Sequence, residues 1–320
     1  MPFNYDCLPW FYFSRLATER LPWDALVWTE TQQSVSEELE RFKTFKNKLS
    51  RGLKFVFVIP VVSKKMAKDW GAVCQLLNNT LSALIAQSNP NWTAILCGQD
   101  KPEGLFNDPR MRFIAFKEDP VRDNSPDMFD KMRQLVHHVA TLDPSDGYIF
   151  KFDQDDILHK DAVEYMLNTR DPNGYIINKS FMLAPDGLHG RYLEPRNPFR
   201  FNFLADTLAA SCGSCMACYY DTRPGGIGFE LFDAIAYQSH GWFEHLAILL
   251  GRPLNKVPFP AVVYNILHGN NAYEGRSKPP KLISKHLTYI RENFTDPQGQ
   301  DYEISKTRKK LVQVERKAAF

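Results

Sequence analysis

Three carboxylates stand within four residues in the segment Asp153-Gln154-Asp155-Asp156. Like charges this close repel one another, and a divalent cation removes that cost. Carboxylate oxygens suit Mg²⁺ or Mn²⁺, which keep room for phosphate oxygens. In an extended segment the side chains of i and i+2 face the same way, so Asp153 and Asp155 are predicted to converge. Asp156 is predicted to point elsewhere and to cap a helix beginning near Leu158. The alternative interpretation is an acidic turn without a metal.

A second chemical pattern is the run Cys212, Cys215 and Cys218, with the spacing C-x₂-C-x₂-C. Zinc and iron–sulfur ligands have similar spacings. Such sites normally need a fourth ligand, and no further cysteine follows closely. Because residues 209–220 are otherwise small and apolar, buried free thiols are predicted rather than a metal site.

Strands and helices alternate around the carboxylates. The apolar run Phe55–Ile59 ends at Pro60 and is typical of a strand buried on both faces. Further strands are predicted at 92–97, 112–116 and 148–152, and helices at about 65–87 and 128–140. This order predicts an α/β fold with an open, mostly parallel sheet flanked by helices. Such sheets bind ligands at the carboxyl ends of their strands, where Asp153 lies.

The rest of the chain predicts a hairpin, further helices and two extensions. Pro185-Asp186-Gly187 is a turn signal between strands at 181–183 and 188–193. Helices are predicted at 160–168 and around 232–250, and a strand at 261–266. Residues 28–49 indicate an amphipathic helix across the back of the domain, with a dimerisation or partner helix as the alternative. The basic tail after residue 301 predicts a solvated helix, with a phosphate or membrane-surface contact as the alternative.

Composition is that of a globular protein. The chain has 320 residues, 44% hydrophobic and 24% charged, with a formal net charge of +2. So small a charge gives no reason to expect nucleic acid as a partner. No run approaches the roughly 18 apolar residues of a membrane span, and no signal-peptide pattern opens the sequence. With six cysteines in so long a chain, a reducing, cytoplasmic location is expected.

Several of these segments together resemble the GT-A glycosyltransferases, most of all bacterial family 2-like enzymes and the rhamnosyltransferase group. They are Phe55–Pro60 with its helix, Trp92–Asp100 and Phe150–Leu158, and the resemblance spans roughly residues 54–270. It implies a Rossmann-like GT-A fold. Residues 51–160 would bind the nucleotide sugar and 161–275 would form the acceptor and catalytic half. An N-terminal helical extension (1–50) and a C-terminal helix with a basic tail (276–320) would flank them.

The resemblance implies roles for residues at the strand ends. Asp155 matches the metal-binding aspartate, and Asp153 the one near the ribose or in the water shell of the metal. Asp100 is similar to the acidic residue that reads the nucleobase by accepting a ring N–H; the alternative is a simple turn residue. The resemblance also implies that Pro60, Val61 and Ser63 lie under the base of the nucleotide sugar. Lys131 or Arg133 would contact its diphosphate; the alternative for these two residues is exposed charge on a helix.

The segment Tyr264–Asn271 is similar to the strand-end His-x-x-Asn segment of GT-A domains, where the histidine completes the metal site. The implied metal ligands are therefore Asp153, Asp155 and His268. Neutral imidazole suits Mn²⁺ better than Mg²⁺, so Mn²⁺ is expected first and Mg²⁺ second. A buried structural histidine or an acceptor-binding histidine are the alternatives.

The catalytic base is where the sequence departs from the family. Inverting members carry a Glu-Asp pair at a helix start, whereas residues 239–245 read Ser-His-Gly-Trp-Phe-Glu-His. Glu244 is predicted to deprotonate the acceptor hydroxyl, because a carboxylate partly desolvated beside Trp242 and Phe243 suits proton transfer. The alternatives are His240, His245 and, outside this segment, Asp233, or an amphipathic helix whose polar residues are merely solvated.

These assignments predict a metal-dependent glycosyltransferase of bacterial surface polysaccharide synthesis, in the cytoplasm or at the inner membrane face. The donor would be a UDP-, GDP- or dTDP-linked sugar, and the acceptor a glycan or a lipid-linked molecule. The alternative is a catalytically silent GT-A-like scaffold, against which the intact Asp153, Asp155 and His268 argue. A nucleotidyltransferase or phosphotransferase would want a glycine-rich loop after the first strand, and residues 60–65 contain no glycine.

Overall fold

The central feature of the molecule is a seven-stranded sheet. The computed structural model describes residues 40–294 apart from 41, 43, 47, 106, 118–120, 123–124, 143–144, 186, 196–206, 239, 267 and 269–280. Within these residues the strands are β1 (Lys54–Pro60), β2 (Trp92–Gly98), β3 (Met111–Ala115), β4 (Val121–Arg122), β5 (Ser125–Pro126), β6 (Asp146–Lys151), β7 (Ile157–Leu158), β8 (Gly174–Ile176), β9 (Ser180–Leu183), β10 (His189–Leu193), β11 (Met216–Asp221), β12 (Asn255–Lys256), β13 (Val262–Asn265) and β14 (Lys281–Leu282).

The central sheet has the strand order β12-β8-β11-β6-β1-β2-β3. Strands β6, β1, β2 and β3 are parallel to one another, and so are β8 and β12. Strand β11 runs antiparallel between β6 and β8. The mostly parallel sheet predicted from the strand–helix alternation is confirmed. Its middle is shielded from solvent, since all residues of β6 and the five inner residues of β1 are buried.

A second sheet has the order β14-β10-β9-β13-β7. It contains the predicted hairpin, because β9 and β10 pair antiparallel on either side of Pro185. Strand β7 was not predicted, since the sequence indicated a helix beginning near Leu158. Instead, Ile157 and Leu158 are buried and pair with β13, so the chain forms a short strand directly after the carboxylates.

Six helices are described: α1 (Trp70–Ile85), α2 (Met128–Leu142), α3 (Ala162–Thr169), α4 (Glu230–Ala236), α5 (Phe243–Leu249) and α6 (Leu287–Asn293). The side chain of Asp69 caps α1 by accepting the Ala72 N–H, so this helix begins later than predicted. The helical region predicted around 232–250 is interrupted by a 3₁₀ turn at His240–Trp242, which contains the poor helix former Gly241. Among the described residues, none of the helices has the length and apolar content needed to cross a bilayer.

Arg252 attaches the segment before β1 to the domain. The helix predicted to reach Leu49 has ended by Phe45. Buried Arg252 donates to the carbonyl oxygens of Phe42, at 2.7 Å, and Phe45. Carbonyls at a helix C-terminus lack partners within the helix and carry partial negative charge, which suits a guanidinium. The N-terminal extension over 1–39 and the basic tail over 295–320 lie outside the described residues.

Replacing Arg252 by methionine should lower the free energy of unfolding by about 3–6 kcal/mol, because its two hydrogen bonds to backbone carbonyls contribute about 1.5–3 kcal/mol each. Methionine keeps the apolar stem, so the loss isolates the guanidinium. Urea denaturation measures it. The control is Arg112→Met at an exposed position of β3, expected to stay within about 0.5 kcal/mol of the unmodified protein. Equal losses in the two variants would contradict a role for Arg252 in holding this segment.

Candidate functional site

The candidate site lies at the carboxyl-terminal edge of the central sheet. Tyr175 of β8 and Phe150 of β6 stand in one row, because both pair with Ala217 of β11. Asn178 and Asp153 each follow three residues later along parallel strands. They therefore reach the same level of this edge, on strands about 10 Å apart because β11 lies between them.

Residues 153–156 form a tight turn rather than an extended segment. A four-residue turn brings its first and fourth residues together, so Asp153 lies beside Asp156. Ligand atoms of Asp153, Asp156 and Cys212 lie within 4.8 Å of one another, and Asp155 is not part of this described cluster. The alternation rule behind the predicted convergence of Asp153 and Asp155 does not apply to a turn. The capping role predicted for Asp156 is wrong, because α3 begins after Asp161.

Asp156 and Cys212 are buried, and Asp153 is half-buried. Asp156 is 0% exposed, and the Cys212 thiol, 3% exposed as a residue, donates to Asp156 Oδ2 at 2.9 Å. Burial, reinforced by the charges of Asp155 and Asp153, raises the pKa of Asp156 well above its ordinary value. Burial also raises the pKa of Asp153, which the ammonium of Lys151 opposes. Burial likewise raises the pKa of Cys212. Negative charge is therefore unfavourable here unless a cation accompanies it.

Asp155 faces His268 instead. Its Oδ2 atom lies 2.9 Å from Nε2 of the imidazole, and the two side chains are 14% and 7% exposed. The separation is that of an ion pair, yet hydrogen-bond geometry is not met. Within the described residues, neither ring nitrogen of His268 has a hydrogen-bond partner.

Strand pairing in the second sheet explains why Asp155 and His268 meet. Strand β7 pairs antiparallel with β13, so that Ile157 is opposite Val263. Continuing the same register two residues back from Ile157 and two residues on from Val263 brings Asp155 opposite Asn265. The side-chain amide of Asn265 donates to the Asp155 carbonyl. His268 follows shortly after β13 and so reaches the carboxylate turn.

The Asp155–His268 pair fits a divalent cation. Adjacent ligands of an octahedral ion with bonds of about 2.1 Å are about 3.0 Å apart, close to the 2.9 Å between these two atoms. One oxygen and one imidazole nitrogen form a donor set that suits Mn²⁺ better than Mg²⁺. A buried imidazole without hydrogen bonds is costly, and metal ligation would remove that cost.

The loop after β1 is held by side chains from neighbouring loops. Gln154 Oε1 accepts the Val62 N–H at 2.9 Å, and Asp100 accepts the Lys64 N–H at 2.7 Å. The loops that follow β1, β2 and β6 are therefore joined. Of the residues predicted to lie under the nucleobase, Val61 and Ser63 are buried and Pro60 is half-buried.

Lys131 is buried beneath this loop. Its ammonium pairs with Asp127 at 2.8 Å and donates to the Val61 carbonyl at 2.9 Å. The contact with Val61 ties the loop after β1 to α2, whereas the pair with Asp127 is local to the start of that helix. The predicted contact of Lys131 with a diphosphate stays a prediction. Arg133, the other residue considered there, forms an exposed pair with Asp130 at 2.6 Å.

Glu244 lies in the first turn of α5 and reaches the same sheet edge. Its Oε2 atom accepts from Asn178 Nδ2 at 3.1 Å, and its Oε1 atom lies 2.7 Å from Lys256 Nζ. Phe243 is fully buried, whereas Trp242 is 46% exposed. The position suits a base that meets an acceptor at this edge, and the catalytic role stays a prediction.

The two histidines near Glu244 lie in consecutive elements, His240 in the 3₁₀ turn and His245 in α5. His240 Nδ1 is hydrogen-bonded to the Ala209 carbonyl, and its ring interacts electrostatically with the carboxyl of Asp153. The ring of His245 packs edge-on against Trp242, with centroids 5.8 Å apart. The segment around Glu244 thus connects the carboxylate turn with the end of β8.

Sequence reasoning missed several residues of this site. No catalytic motif pointed to Asn178 or Lys256, and only the positions of β8 and β12 in the sheet bring them to Glu244. The three cysteines of the C-x₂-C-x₂-C run are buried and form no disulfide, as predicted. Nothing in their spacing indicated that Cys212 would join the carboxylates, although the small residues around it allow close packing.

Asp233, the outlying candidate base, lies elsewhere. Burial, with the charge of Glu230, raises its pKa to about 7. Its carboxylate interacts with Cys218, which pairs with Ile149 in the middle of β6. Asp233 is therefore placed below the sheet edge that carries the other candidates.

The raised pKa makes stability depend on pH. Because the carboxyl of Asp233 holds its proton to about pH 7 when folded and to about pH 4 when unfolded, stability falls as pH rises between these values. Asp233→Asn removes the cost of ionisation. Its gain in unfolding free energy over the unmodified protein should grow by about 2–3 kcal/mol from about pH 5 to pH 8, measured by urea denaturation. Asp130→Asn, at an exposed carboxylate, is the control. A gain for Asp233→Asn that stays constant with pH would contradict the shift.

Two solved structures have partial similarity to this chain. TarS of S. aureus (residues 1–349) is similar with a TM-score of 0.41 and 9% identity, over 67% of this chain and 60% of that one. The glycosyltransferase GlyE of Streptococcus pneumoniae TIGR4 is similar with a TM-score of 0.37 and 9% identity, over 79% and 62%. The chain thus spans less than two thirds of either protein's length. No protein-family profile and no curated protein sequence matches it. Similarity this low assigns no reaction, so function is argued from the site.

Proposed function

We propose that this protein is a metal-dependent glycosyltransferase that moves a sugar from a nucleotide-sugar donor to a glycan or lipid-linked acceptor. The observation that carries the proposal is the Asp155–His268 pair, whose ligand atoms are 2.9 Å apart. It stands at the carboxyl edge of a mostly parallel sheet, where open α/β folds bind ligands. The acidic turn after an apolar strand, which the sequence shares with GT-A enzymes, supports the same reading.

Asp155 and His268 are the residues that would hold the cation, with Asp153 near the ribose or in the water shell of the metal. A bound divalent cation would neutralise the charge that develops on the departing diphosphate. The proposed nucleotide contacts come from the loops after β1 and β2. They are Pro60, Val61, Ser63 and Asp100.

Glu244 is the proposed general base. Its carboxylate would take the proton of the acceptor hydroxyl while the hydroxyl oxygen bonds to the anomeric carbon. The bond from that carbon to the diphosphate breaks, and the diphosphate keeps the electron pair. Asn178 orients the carboxylate. Lys256 is 62% exposed, and because exposed ion pairs are weak, an acceptor can displace it at little cost.

We further propose a UDP-, GDP- or dTDP-linked donor and a role in bacterial surface polysaccharide synthesis, in the cytoplasm or at the inner membrane face. These finer assignments are supported by the sequence resemblance alone. A contact of the basic tail with a membrane surface remains part of the same proposal.

Incubation with Mn²⁺ and a panel of UDP-, GDP- and dTDP-sugars tests the proposal through the release of nucleoside diphosphate. Release from one nucleotide class, abolished by a chelator and restored by Mn²⁺, is expected. If no donor is cleaved and calorimetry detects no binding of any donor, the transferase proposal fails and a catalytically silent scaffold is favoured.

His268→Ala should weaken Mn²⁺ binding more than Mg²⁺ binding, because loss of an imidazole ligand matters most to the ion that prefers nitrogen. The expected loss for Mn²⁺ is at least about 10-fold, since even outer-shell partners of metal ligands contribute about 10–100-fold. Calorimetric titration with each metal measures it. The matched control is His137→Ala, an exposed histidine of α2, which should change neither affinity. Equal losses of both metals in His268→Ala would make His268 a structural residue.

A further inference from the structure

The cluster of Asp153, Asp156 and Cys212, here called the thiol–carboxylate cluster, is separate from the Asp155–His268 pair. One ligand atom from each of its residues lies within 4.8 Å of the others. Cys212 Sγ is 2.9 Å from Asp156 Oδ2 and 3.7 Å from Asp153 Oδ2. Asp156 and Cys212 are almost completely shielded from solvent.

One atom of this cluster has no partner. Asp156 Oδ1 is buried and makes no hydrogen bond to any described residue. An unsatisfied buried carboxyl oxygen is costly and uncommon in folded proteins. Two carboxylates whose oxygens lie within 4.8 Å of each other add mutual repulsion. Both costs disappear if a cation lies between the three side chains.

The surroundings also suit the charge of a bound ion. Two carboxylates and a thiolate carry three negative charges, and a divalent cation leaves one. The ammonium of Lys151 lies near the carboxylate of Asp153, because both groups flank Gly213. A Cβ placed on this glycine would lie 3.1 Å from Asp153 Oδ2 and 3.4 Å from Lys151 Nζ. Lys151 is itself buried and would balance the remaining charge.

We propose that Asp153, Asp156 and Cys212 bind a zinc ion at a second metal site of this protein. Zinc accepts one thiolate and two carboxylate oxygens, with bonds of about 2.3 Å and 2.0–2.2 Å, whereas Mg²⁺ and Mn²⁺ favour oxygen ligands over sulfur. The ion fastens the turn 153–156 to the chain before β11. This holds Asp155 towards His268. The proposal does not depend on sugar transfer.

Titration of the metal-free protein with Co²⁺ tests the site, because a thiolate ligand gives a sulfur-to-cobalt charge-transfer band in the near ultraviolet. The band should appear, and Zn²⁺ should displace it. Cys212→Ser should lose the band and bind Zn²⁺ more than about 100-fold less tightly, since even outer-shell changes cost about 10–100-fold. Cys218→Ala, another buried thiol of the same run, and His268→Ala should both keep the band.

Asp156→Asn is a second variant, for use if Cys212→Ser proves unstable. Asparagine keeps the size and shape of the side chain, and the substitution should also weaken Zn²⁺ binding. Absence of the band in the unmodified protein would overturn the proposal and leave a thiol hydrogen-bonded to a carboxyl. Unchanged Zn²⁺ affinity in Asp156→Asn, or a band that persists in Cys212→Ser but vanishes in His268→Ala, would also overturn it. The last result would mean that only the Asp155–His268 pair binds metal.

Discussion

Replacing Asp155 by alanine is expected to abolish Mn²⁺-dependent binding of the nucleotide sugar and to lower donor cleavage by about 10³-fold or more. A metal supplies several kcal/mol of stabilisation to the departing charge, and about 1.4 kcal/mol corresponds to a factor of ten. The fold should persist, because Asp155 lies in a turn and its removal relieves repulsion with Asp153 and Asp156. Calorimetry with Mn²⁺ and the cleaved donor, together with nucleoside diphosphate release, measures both effects.

The matched control is Asp161→Ala. Asp161 is a half-buried carboxylate before α3 whose side chain makes no capping hydrogen bond, so donor binding should be unchanged. Unchanged Mn²⁺ and donor affinity in Asp155→Ala would remove Asp155 from the metal site. Zinc retained by Asp155→Ala at the thiol–carboxylate cluster would show that the two proposed metal sites are separate.

Glu244→Gln is expected to lower turnover by about 10²–10⁴-fold, the usual contribution of a general base. Glutamine keeps the size and can still accept from Asn178, but it cannot take a proton near neutral pH. Donor affinity should remain near normal, because the proposed nucleotide and metal contacts lie on other loops. Steady-state rates with the cleaved donor and an acceptor, and calorimetric donor binding, separate these two effects.

Lys256→Met is the control for the ion pair that Glu244→Gln also breaks. Because Lys256 is 62% exposed, its loss should change stability by less than about 1 kcal/mol and turnover far less than Glu244→Gln does. Equal turnover in the two variants would mean that Glu244 acts only as the partner of Lys256. Near-normal turnover in Glu244→Gln would transfer the role to His240 or His245.

The sequence by itself determined the framework. The apolar runs at 55–59 and 148–152 have the continuous β-rich character of strands buried on both faces, and they form the neighbouring strands β1 and β6. The turn signal around Pro185 determined the hairpin of β9 and β10. These features depend on residues close together in the chain, so local periodicity and turn chemistry suffice to predict them. The same local logic placed the carboxylates after a strand at the ligand-binding edge.

Only the tertiary structure decided which side chains meet there. Asp155 reaches His268 because β7, a strand that the sequence did not indicate, pairs with the predicted strand β13. Asp153 joins Asp156 because their segment turns, and Cys212 joins both from the segment that leads into β11. Asn178 reaches Glu244 through the position of β8 in the sheet. Apart from the local contact of Asp153 with Asp156, each meeting joins segments whose strand registers are set by the packing of the whole core, and no periodicity within one segment carries that information.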